Sequence, residues 1–467
     1  MCGYIYATWI NIFACAFPIR RVVALEMAFP GSVMSESDTD RLAALFVESS
    51  RNTTLSWMLI VVLCATLLGA IALERYEPIL FSVVAIAIVV TPAIAFRDPT
   101  VMPPWYFIGL ICFPVLWETF ASQPLAMAIV PNVALATFGL LLAVELHRFT
   151  SLRLVPWFAV VLTVLFTLAM AGLLSILRWS ADVMFGTMFL LDGRSQDAIN
   201  AAVMIEFAYA TVAGLFAGAV FYLYFRSTAG QSDSRMAAPT VPSTDDDVEG
   251  VVLSDRIGLP VRRQTQLVRA MQIVLVGILI YGVWGLQLPV ITNAALALAI
   301  TFIPAVLDRD YQIPIEPGLA LWVTAAVFFH ALGTAGLYDA IGPYDHLTHT
   351  LSATVVAAAG YAALRGIHLH SEDVCLPRWA LFSFTLVFVL AMGVIWEILE
   401  FIVDQGALVL GMEPILAQHG IDDTIVDMLF NTLGAILVAT WGTVYLTEVS
   451  ESLAARLEER VSARRES

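Results

Sequence analysis

The chain contains no lysine. All 23 of its basic residues are arginine, against 39 acidic residues, which gives a formal net charge of −16. Proteins that bind nucleic acid need basic surface to neutralise phosphates, so this charge balance argues against nucleic acid as a partner. An acidic composition without lysine also suggests adaptation to very high salt, and we predict a halophilic source.

Cysteine and charge are scarce as well. The five cysteines are scattered and form no CxxC spacing, which argues against a disulfide framework or a zinc ribbon. Charged residues make up 13% of the chain and hydrophobic residues 60%. Because a soluble domain of 467 residues cannot bury so large an apolar fraction in one core, the composition predicts an all-α, polytopic integral membrane protein.

Apolar runs of roughly 20 residues, the length that crosses a bilayer, predict about 12 transmembrane helices in two six-helix bundles. These runs lie at 55–73, 78–96, 105–121, 124–146, 156–177, 200–225, 267–286, 288–307, 316–337, 346–364, 379–403 and 424–446. Between the bundles lies a segment rich in Ser, Thr, Asp, Pro and Gly, which predicts a disordered linker. The predicted parts are an N-terminal segment, the first bundle, the linker, the second bundle and an amphipathic cytoplasmic tail, at 1–54, 55–226, 227–266, 267–447 and 448–467.

Arginine placement predicts the orientation, because short cytoplasmic loops carry the excess of positive charge. With both termini and the linker cytoplasmic, the outer loops hold only Arg75, Arg178 and Arg194. We therefore predict a multi-pass protein of the cell membrane. The first 33 residues are ambiguous: they could form an extra anchor, an uncleaved targeting segment, or a stretch upstream of a true start at Met34. The orientation of the N-terminus holds if translation starts at Met34.

Ionisable and amide side chains stand inside or at the ends of four of the predicted spans. An ionisable group in hydrocarbon costs on the order of 2.5–3.5 kcal/mol, so such a cluster needs a partner, a cavity or a function. The predicted topology brings all of these residues to the outer third of the membrane. They are His330, Asp345, His346, His349, Glu397, Glu400, Asp404, Asp423, Asp427 and Asn431.

Helical spacing groups these side chains into faces. Glu397, Glu400 and Asp404 share one stripe, whereas Asp427 and Asn431 share another, which Gly434 continues. Imidazoles, carboxylates and a carboxamide on converging helices favour a metal site or an acid–base pocket. We expect a His346 or His349 nitrogen within about 5 Å of a Glu397, Glu400 or Asp427 oxygen.

The residue types predict a role for each position. The predicted ligands of a divalent cation are His346, His349, Glu397, Glu400, Asp423 and Asp427. Glu397 or Asp427 would serve as general base and His346 as acid. Asp345, Asp404, Asn431 and His330 would complete the polar site. The alternative is a hydrogen-bonded network that only locks the helices together.

Three elements in this order resemble those of the YjdF-like inner-membrane proteins and, more distantly, the VanZ-like proteins. They are Tyr344-Asp345-His346, Trp396-Glu397-Ile398 with Glu400, and the Asp423/Asp427/Asn431/Gly434 run. The resemblance covers roughly residues 270–446 and implies a helical membrane fold with a shared polar site, but no reaction. The first bundle shows no such elements, because its Glu118, Glu145 and Glu206 are isolated.

The first function hypothesis is a site, open to the outer leaflet, that binds a cation and acts on a lipid or envelope-precursor head group. Hydrolysis or transfer at a phosphate or ester is the favoured reaction class. The second hypothesis is a proton- or cation-coupled transporter, and the third is a structural scaffold. Membrane lipid is the expected partner, and the oligomeric state is left open.

The predicted topology is tested with single cysteines placed in a cysteine-free background and labelled in intact cells with an impermeant thiol reagent. Cysteines at Gly342 and Gly420 should label readily, because arginine asymmetry places both loops outside. A cysteine at Ser243 should label only after the cells are permeabilised. Ready labelling of Ser243 in intact cells would overturn the assigned depths.

Overall fold

The computed structural model describes residues 50–120, 124–149, 156–229, 259–311, 316–370, 378–416 and 418–440. These residues form helices and the short turns between them, and they contain no strand. The predicted tail, most of the predicted linker and nearly all of the N-terminal segment lie outside the described residues.

Six helices form the first half of the chain. They are α1 (Ser50–Ala72), α2 (Tyr76–Phe96), α3 (Trp105–Phe120), α4 (Pro124–Phe149), α5 (Pro156–Phe185) and α6 (Gln196–Ala229). The second half begins with α7 (Val261–Gly285), α8 (Leu288–Thr301), α9 (Ile303–Tyr311) and α10 (Pro317–Leu332). A π-helical turn (Gly333–Leu337) leads through α11 (Tyr338–Ala340) to α12 (Tyr344–His370), α13 (Arg378–Val409) and α14 (Ile421–Thr440).

The described helices confirm an all-α polytopic membrane protein. Ten candidate spans are long and apolar enough to cross a bilayer, α8 with α9 and α10 with its extension each counting as one. Helix α3 (Trp105–Phe120) and the Pro131–Ala143 part of α4 are shorter apolar stretches. Many large apolar side chains on the outside of the helices stay exposed, among them Phe216, Ile273 and Trp284. Such surface is stable in contact with lipid and not in contact with water.

The predicted linker was too long at both ends. Helix α6 continues to Ala229 and α7 begins at Val261, so helix occupies part of the range 227–266. Pro260 precedes the first turn of α7, where a missing N–H removes no helical hydrogen bond. Because the first turn of α7 is polar, with Arg262 and Arg263, the hydropathy pattern did not show that the helix begins there.

The predicted helix 316–337 is interrupted near its end. Gly336 has a φ of 124°, which L-residues rarely adopt, and the backbone turns there. The ring of Tyr338 consequently folds back over Gly333, where an added Cβ would overlap it. This turn brings the Tyr338 hydroxyl to 2.6 Å from Nδ1 of His330.

The two halves share one packing scheme. In the first half α1, α2 and α3 pack on one another, α3 packs on α4, and α4, α5 and α6 pack together. In the second half α7, α8 and α10 form the corresponding trio, α10 packs on α12, and α12, α13 and α14 pack together. The two halves therefore have the same order of neighbours, although the acids of the first half do not repeat the spacing seen in the second.

The two halves are joined through a common core. Side chains of α13 and α14, including Val394, Ile425 and Met428, belong to the same buried cluster as those of α3, α4, α5 and α6. A Cβ added to Gly172 of α5 would lie 2.8 Å from Cγ2 of Val394 on α13, so α5 and α13 are in close contact. The apolar interface between the halves therefore holds α13 and α14 in place.

An aspartate near the end of α5 and another near the end of α13 each bind the loop that follows the helix. Asp182 accepts hydrogen bonds from the backbone N–H groups of Phe189, Leu190 and Leu191 at 2.7–2.8 Å. Asp404 accepts them from Ile415, Leu416 and Gln418 at 2.7–3.0 Å. We call this end of the molecule, where α5 and α13 end and α6, α12 and α14 begin, the polar end.

Gly434 allows α14 to approach α12 closely. A Cβ at this position would lie 2.5 Å from the Thr350 carbonyl oxygen and 2.8 Å from Cβ of Ala353. Neither neighbour is a flexible side-chain end, so a substitution would have to separate the two helices.

We therefore expect Gly434→Ala to lower the free energy of unfolding by about 1–3 kcal/mol, the usual range for overpacking. The matched control is Gly277→Ala in α7, where an added Cβ meets nothing within 4 Å. That control should be neutral or slightly stabilising, because alanine is the better helix former. Thermal unfolding in detergent measures both variants, and equal stability of the two would contradict the close approach.

Candidate metal site

Three potential metal ligands converge at the polar end from two helices. Asp345 and His349 stand one turn apart in the first turns of α12, and Asp427 comes from the second turn of α14. One ligand atom from each of the three lies within 4.8 Å of the others. The i, i+4 spacing on α12 places the carboxylate and the imidazole on one face, and the close packing at Gly434 brings the third ligand to them.

The distances within this trio fit a shared cation better than direct hydrogen bonds. Nε2 of His349 lies 3.5 Å from Oδ1 of Asp345 and 3.5 Å from Oδ2 of Asp427. A charge-assisted N–H···O bond is shorter, about 2.7–2.9 Å. Two ligands of a tetrahedral ion at about 2.1 Å are about 3.4 Å apart. The 3.5 Å distance from Nε2 of His349 to Oδ2 of Asp427 also lies within the limit of about 5 Å expected from the sequence.

The trio is shielded yet keeps one accessible side. The side chains of His349 and Asp427 are 11% and 6% exposed, whereas that of Asp345 is 26% exposed. Oδ1 of Asp427 is buried without a hydrogen-bond partner. A buried carboxylate oxygen without a partner is costly, and a bound cation would satisfy it.

Further carboxylates surround Asp427. Glu397, Glu400 and Asp423 lie close enough to interact with it electrostatically. Glu397 is fully buried, and its Oε1 also lacks a hydrogen-bond partner. Asp345 and Asp427 both have His349 as their described ion-pair partner. Like charges gathered away from water repel one another, so the arrangement favours a cation or a proton.

His346 does not join the trio, although the sequence pattern included it among the ligands. Its ring stacks on Phe430 with the centroids 4.3 Å apart and the planes at 5°. Nδ1 of His346 is buried and has no hydrogen-bond partner. His346 directly follows Asp345 and is turned about 100° around the helix from it, away from the face that Asp345 and His349 share. It contacts α14 through its ring instead.

A hydrogen-bonded layer supports the trio from behind. Thr348 donates to the Asp345 carbonyl oxygen at 2.8 Å, and its hydroxyl lies 3.3 Å from that of Tyr338. Tyr338 in turn contacts His330, which was predicted to belong to the polar site. Asn431 lies beside the His349 side chain. Such outer partners fix the orientation of ligand side chains. Sequence reasoning missed Tyr338 because the turn at Gly336 brings it there.

Gln418 links Glu397 to the first half of the chain. Its Nε2 donates to Oε2 of Glu397 at 2.9 Å, and its Oε1 accepts from Nδ2 of Asn200 on α6 at 2.7 Å. Asn200 also accepts from the Thr424 hydroxyl at 3.0 Å. The sequence pattern pointed to neither Gln418 nor Asn200, because their pairing depends on how the halves meet.

Asp404 and Asp423 have local roles. The Asp404 carboxylate is occupied by three backbone N–H groups of the loop that precedes α14. Asp423 accepts from the backbone N–H of His419 at 2.9 Å. Asp404 therefore shapes the loop that carries Gln418, while Asp423 remains beside the trio with one oxygen committed to the loop.

Comparison with known proteins supports a membrane protein family. Residues 267–448 match the model of a family described as "Predicted membrane protein (DUF2238)". Residues 40–102 match one described as "Domain of unknown function (DUF8268)". An "Uncharacterized protein" of Thermotoga maritima is 29% identical over 141 residues, which cover 30% of this chain and 68% of that protein. No solved structure gives a significant match.

The loop role of Asp404 is tested by Asp404→Asn, which keeps the side-chain shape but removes one acceptor oxygen and the charge. We expect the free energy of unfolding to fall by about 1–3 kcal/mol, as for other buried N–H groups that lose a partner. Glu413→Gln, an exposed acid of the same loop, is the control. If thermal unfolding in detergent showed the two variants to be equally stable, Asp404 would not be holding the loop.

Proposed function

We propose that this membrane protein binds a divalent cation through Asp345, His349 and Asp427. The observation that carries the proposal is the pair of 3.5 Å distances from Nε2 of His349 to one oxygen of each aspartate. Two carboxylates and an imidazole are a donor set that suits Zn²⁺, Mn²⁺ or Fe²⁺. The unpartnered Oδ1 of Asp427 and the surrounding acids support a cation of more than one charge.

We further propose that the site faces the outer leaflet of the cell membrane, as the arginine distribution predicts. Asp345 is the most exposed of the three ligands, so a substrate group would reach the cation from its side. A phosphate or ester oxygen of a lipid or envelope precursor is the group that such a site would polarise. The head group would arrive within the plane of the membrane.

In this proposal Glu397 is the general base. Its Oε2 is held by Gln418 at 2.9 Å, and its Oε1 has no hydrogen-bond partner. An oriented carboxylate with one unoccupied oxygen can accept a proton from a water molecule that attacks the phosphate or ester. His346 is a less suitable acid than its sequence position indicated, because its ring is stacked on Phe430.

Coupled transport is the second candidate, favoured by the repeated packing scheme of the halves. Parallel repeats of this kind occur in transporters, with the substrate site at the repeat interface. The candidate ligands here lie at one end of α12 and α14, whereas transporter sites lie near the middle of the bilayer. Cation-dependent uptake into proteoliposomes without turnover of any lipid would favour transport.

We also propose that the chain is YjdF-like, as its polar elements suggest, and that its source is halophilic, as the acidic composition without lysine suggests. The arginine distribution supports cytoplasmic termini.

The cation site is tested by metal analysis of the purified protein after exposure to Zn²⁺ or Mn²⁺. We expect about one ion per chain for the native protein and at least about tenfold weaker binding for Asp427→Asn, because a neutral amide replaces an anionic ligand. Glu145→Gln, which removes another buried acid far from the trio, should bind as the native protein does. Native-like binding by Asp427→Asn would contradict the proposal.

Glu397→Gln separates chemistry from packing. The substitution keeps the size and one acceptor oxygen, which can still accept from Gln418. The variant should therefore insert and unfold as the native protein does, and it should still bind the cation. If Glu397 is the base, complementation of a deletion strain under envelope stress should be lost. Full complementation by both single variants, Glu397→Gln and Asp427→Asn, would favour a structural scaffold instead.

A further inference from the structure

The Glu397 carboxylate is held by a side chain that is itself held from the other half of the molecule. Oε2 of Glu397 accepts from Nε2 of Gln418 at 2.9 Å, and Oε1 of Gln418 accepts from Nδ2 of Asn200 at 2.7 Å. Asn200 lies four residues after the first residue of α6 and is 4% exposed. Two side-chain amides in series therefore connect a carboxylate on α13 to a helix of the first half.

The direction of donation is the same along this series. An amide nitrogen donates and an amide oxygen accepts, whereas an ionised carboxylate only accepts. Gln418 can donate to the Glu397 carboxylate only when its nitrogen faces Glu397, which leaves its oxygen facing Asn200. Asn200 meets that oxygen with its own nitrogen, and its Oδ1 accepts from the Thr424 hydroxyl at 3.0 Å. Each bond in the series thus supports donation to Glu397.

A fixed donor is important at Glu397 because the carboxylate is buried among like charges. Asp345, Asp423 and Glu400 lie close enough to interact with it electrostatically, and Thr424 lies beside it. A donated hydrogen bond favours the ionised form, which is the form that accepts a proton. The Gln418 side chain has several rotatable bonds and loses freedom when it is ordered. Asn200 restrains the end of Gln418 that faces away from the carboxylate.

The start of α6 is fixed against the start of α14 by further polar contacts. Nε2 of Gln196 donates to Oδ2 of Asp422 at 2.9 Å, and Oε1 of Gln196 accepts from the Asp422 backbone N–H at 3.0 Å. Nε1 of Trp179 donates to Oδ1 of the same aspartate at 2.7 Å. Gly420, with a φ of 87°, lets the loop approach closely, because a Cβ there would lie 2.8 Å from Cβ of Gln196. These contacts hold Asn200 at a defined place relative to Gln418.

We propose that Asn200 is a positioning residue for Glu397: it holds the Gln418 amide in the orientation that donates to the carboxylate. The inference rests on the role of Glu397 as general base proposed above. Asn200 itself touches neither the cation nor the substrate and acts only through Gln418. The site on α12, α13 and α14 is therefore completed by a residue of the first half.

Labelling of the purified full-length protein with dicyclohexylcarbodiimide, measured by peptide mass spectrometry, tests the proposal. This apolar reagent modifies the protonated form of a carboxyl group, so the loss of a donor should speed the labelling of Glu397. We expect Gln418→Leu and Asn200→Leu each to label at least about threefold faster than the native protein. The double variant should label no faster than Gln418→Leu, because Asn200 acts through Gln418.

Three controls accompany the labelling. Asn52→Leu removes another buried asparagine of the first half and should leave the labelling of Glu397 unchanged. The labelling of Glu145, a buried acid of α4, reports any general loosening of each variant. Asn200→Ser, whose side chain is too short to reach Gln418, gives the same comparison if Asn200→Leu does not fold.

Cation binding and complementation separate this proposal from the cation site. Asn200→Leu should bind Mn²⁺ as the native protein does and should complement a deletion strain poorly, as we expect of Glu397→Gln. Failure of the native protein to bind Mn²⁺ would contradict the cation site, whereas the labelling would still decide the role of Asn200.

Three results would overturn the role of Asn200. The first is labelling of Glu397 at the native rate in both Asn200→Leu and Asn200→Ser. The second is an effect of Asn200→Leu that persists in the Gln418→Leu background. The third is full complementation by Asn200→Leu when Glu397→Gln fails to complement.

Discussion

The polar end of the second half depends on carboxylates that are buried close together in a membrane-spanning region. Asp427 lies among Asp345, Glu397, Glu400 and Asp423, and the described ion-pair partner of Asp345 and Asp427 is a single histidine. Removing several like charges from water without compensation is unfavourable by several kcal/mol per group. The arrangement is therefore stable only when a cation or protons neutralise it. The packing at Gly434 and the loop held by Asp404 hold the ligands in this arrangement.

The packing scheme that the two halves share places different polar side chains at equivalent positions. Helices α5 and α13 pack against each other, and each is followed by a loop whose backbone N–H groups bind an aspartate of that helix. The positions seven and four residues before that aspartate line a cavity in the first half and belong to the acidic cluster in the second. Glu397 and Glu400 stand at these positions in the second half, whereas Ser175 and Arg178 stand there in the first. Function is thus set by a few side chains on a common scaffold.

The sequence alone predicted the coarse fold well, because hydrophobic runs of bilayer length are a strong signal. It also predicted which helices carry the polar groups. It could not predict the turn at Gly336 that brings Tyr338 to His330, since a glycine within a helical pattern does not reveal its φ. Nor could it predict the contacts of Asn200 with Gln418 and Thr424, which depend on long-range packing of the halves.

His346 and Asp404 show a further limit of pattern reasoning. Both have ligand chemistry and suitable spacing, yet one stacks on an aromatic ring and the other binds backbone N–H groups. Residue type and helical face define which side chains can take part in a site, whereas the neighbours they meet in the fold define which do. The packing scheme that the two halves share was also not predicted, because the polar residues differ between the halves.

The most direct test of the central claim is an experimental structure of the protein soaked with Mn²⁺, with the ion located by its anomalous scattering. We expect one strong peak at about 2.0–2.2 Å from Nε2 of His349 and from an oxygen of each of Asp345 and Asp427. The same crystals of Asp427→Asn should lack that peak. A peak elsewhere, or no peak while the three side chains keep the positions described here, would contradict the account.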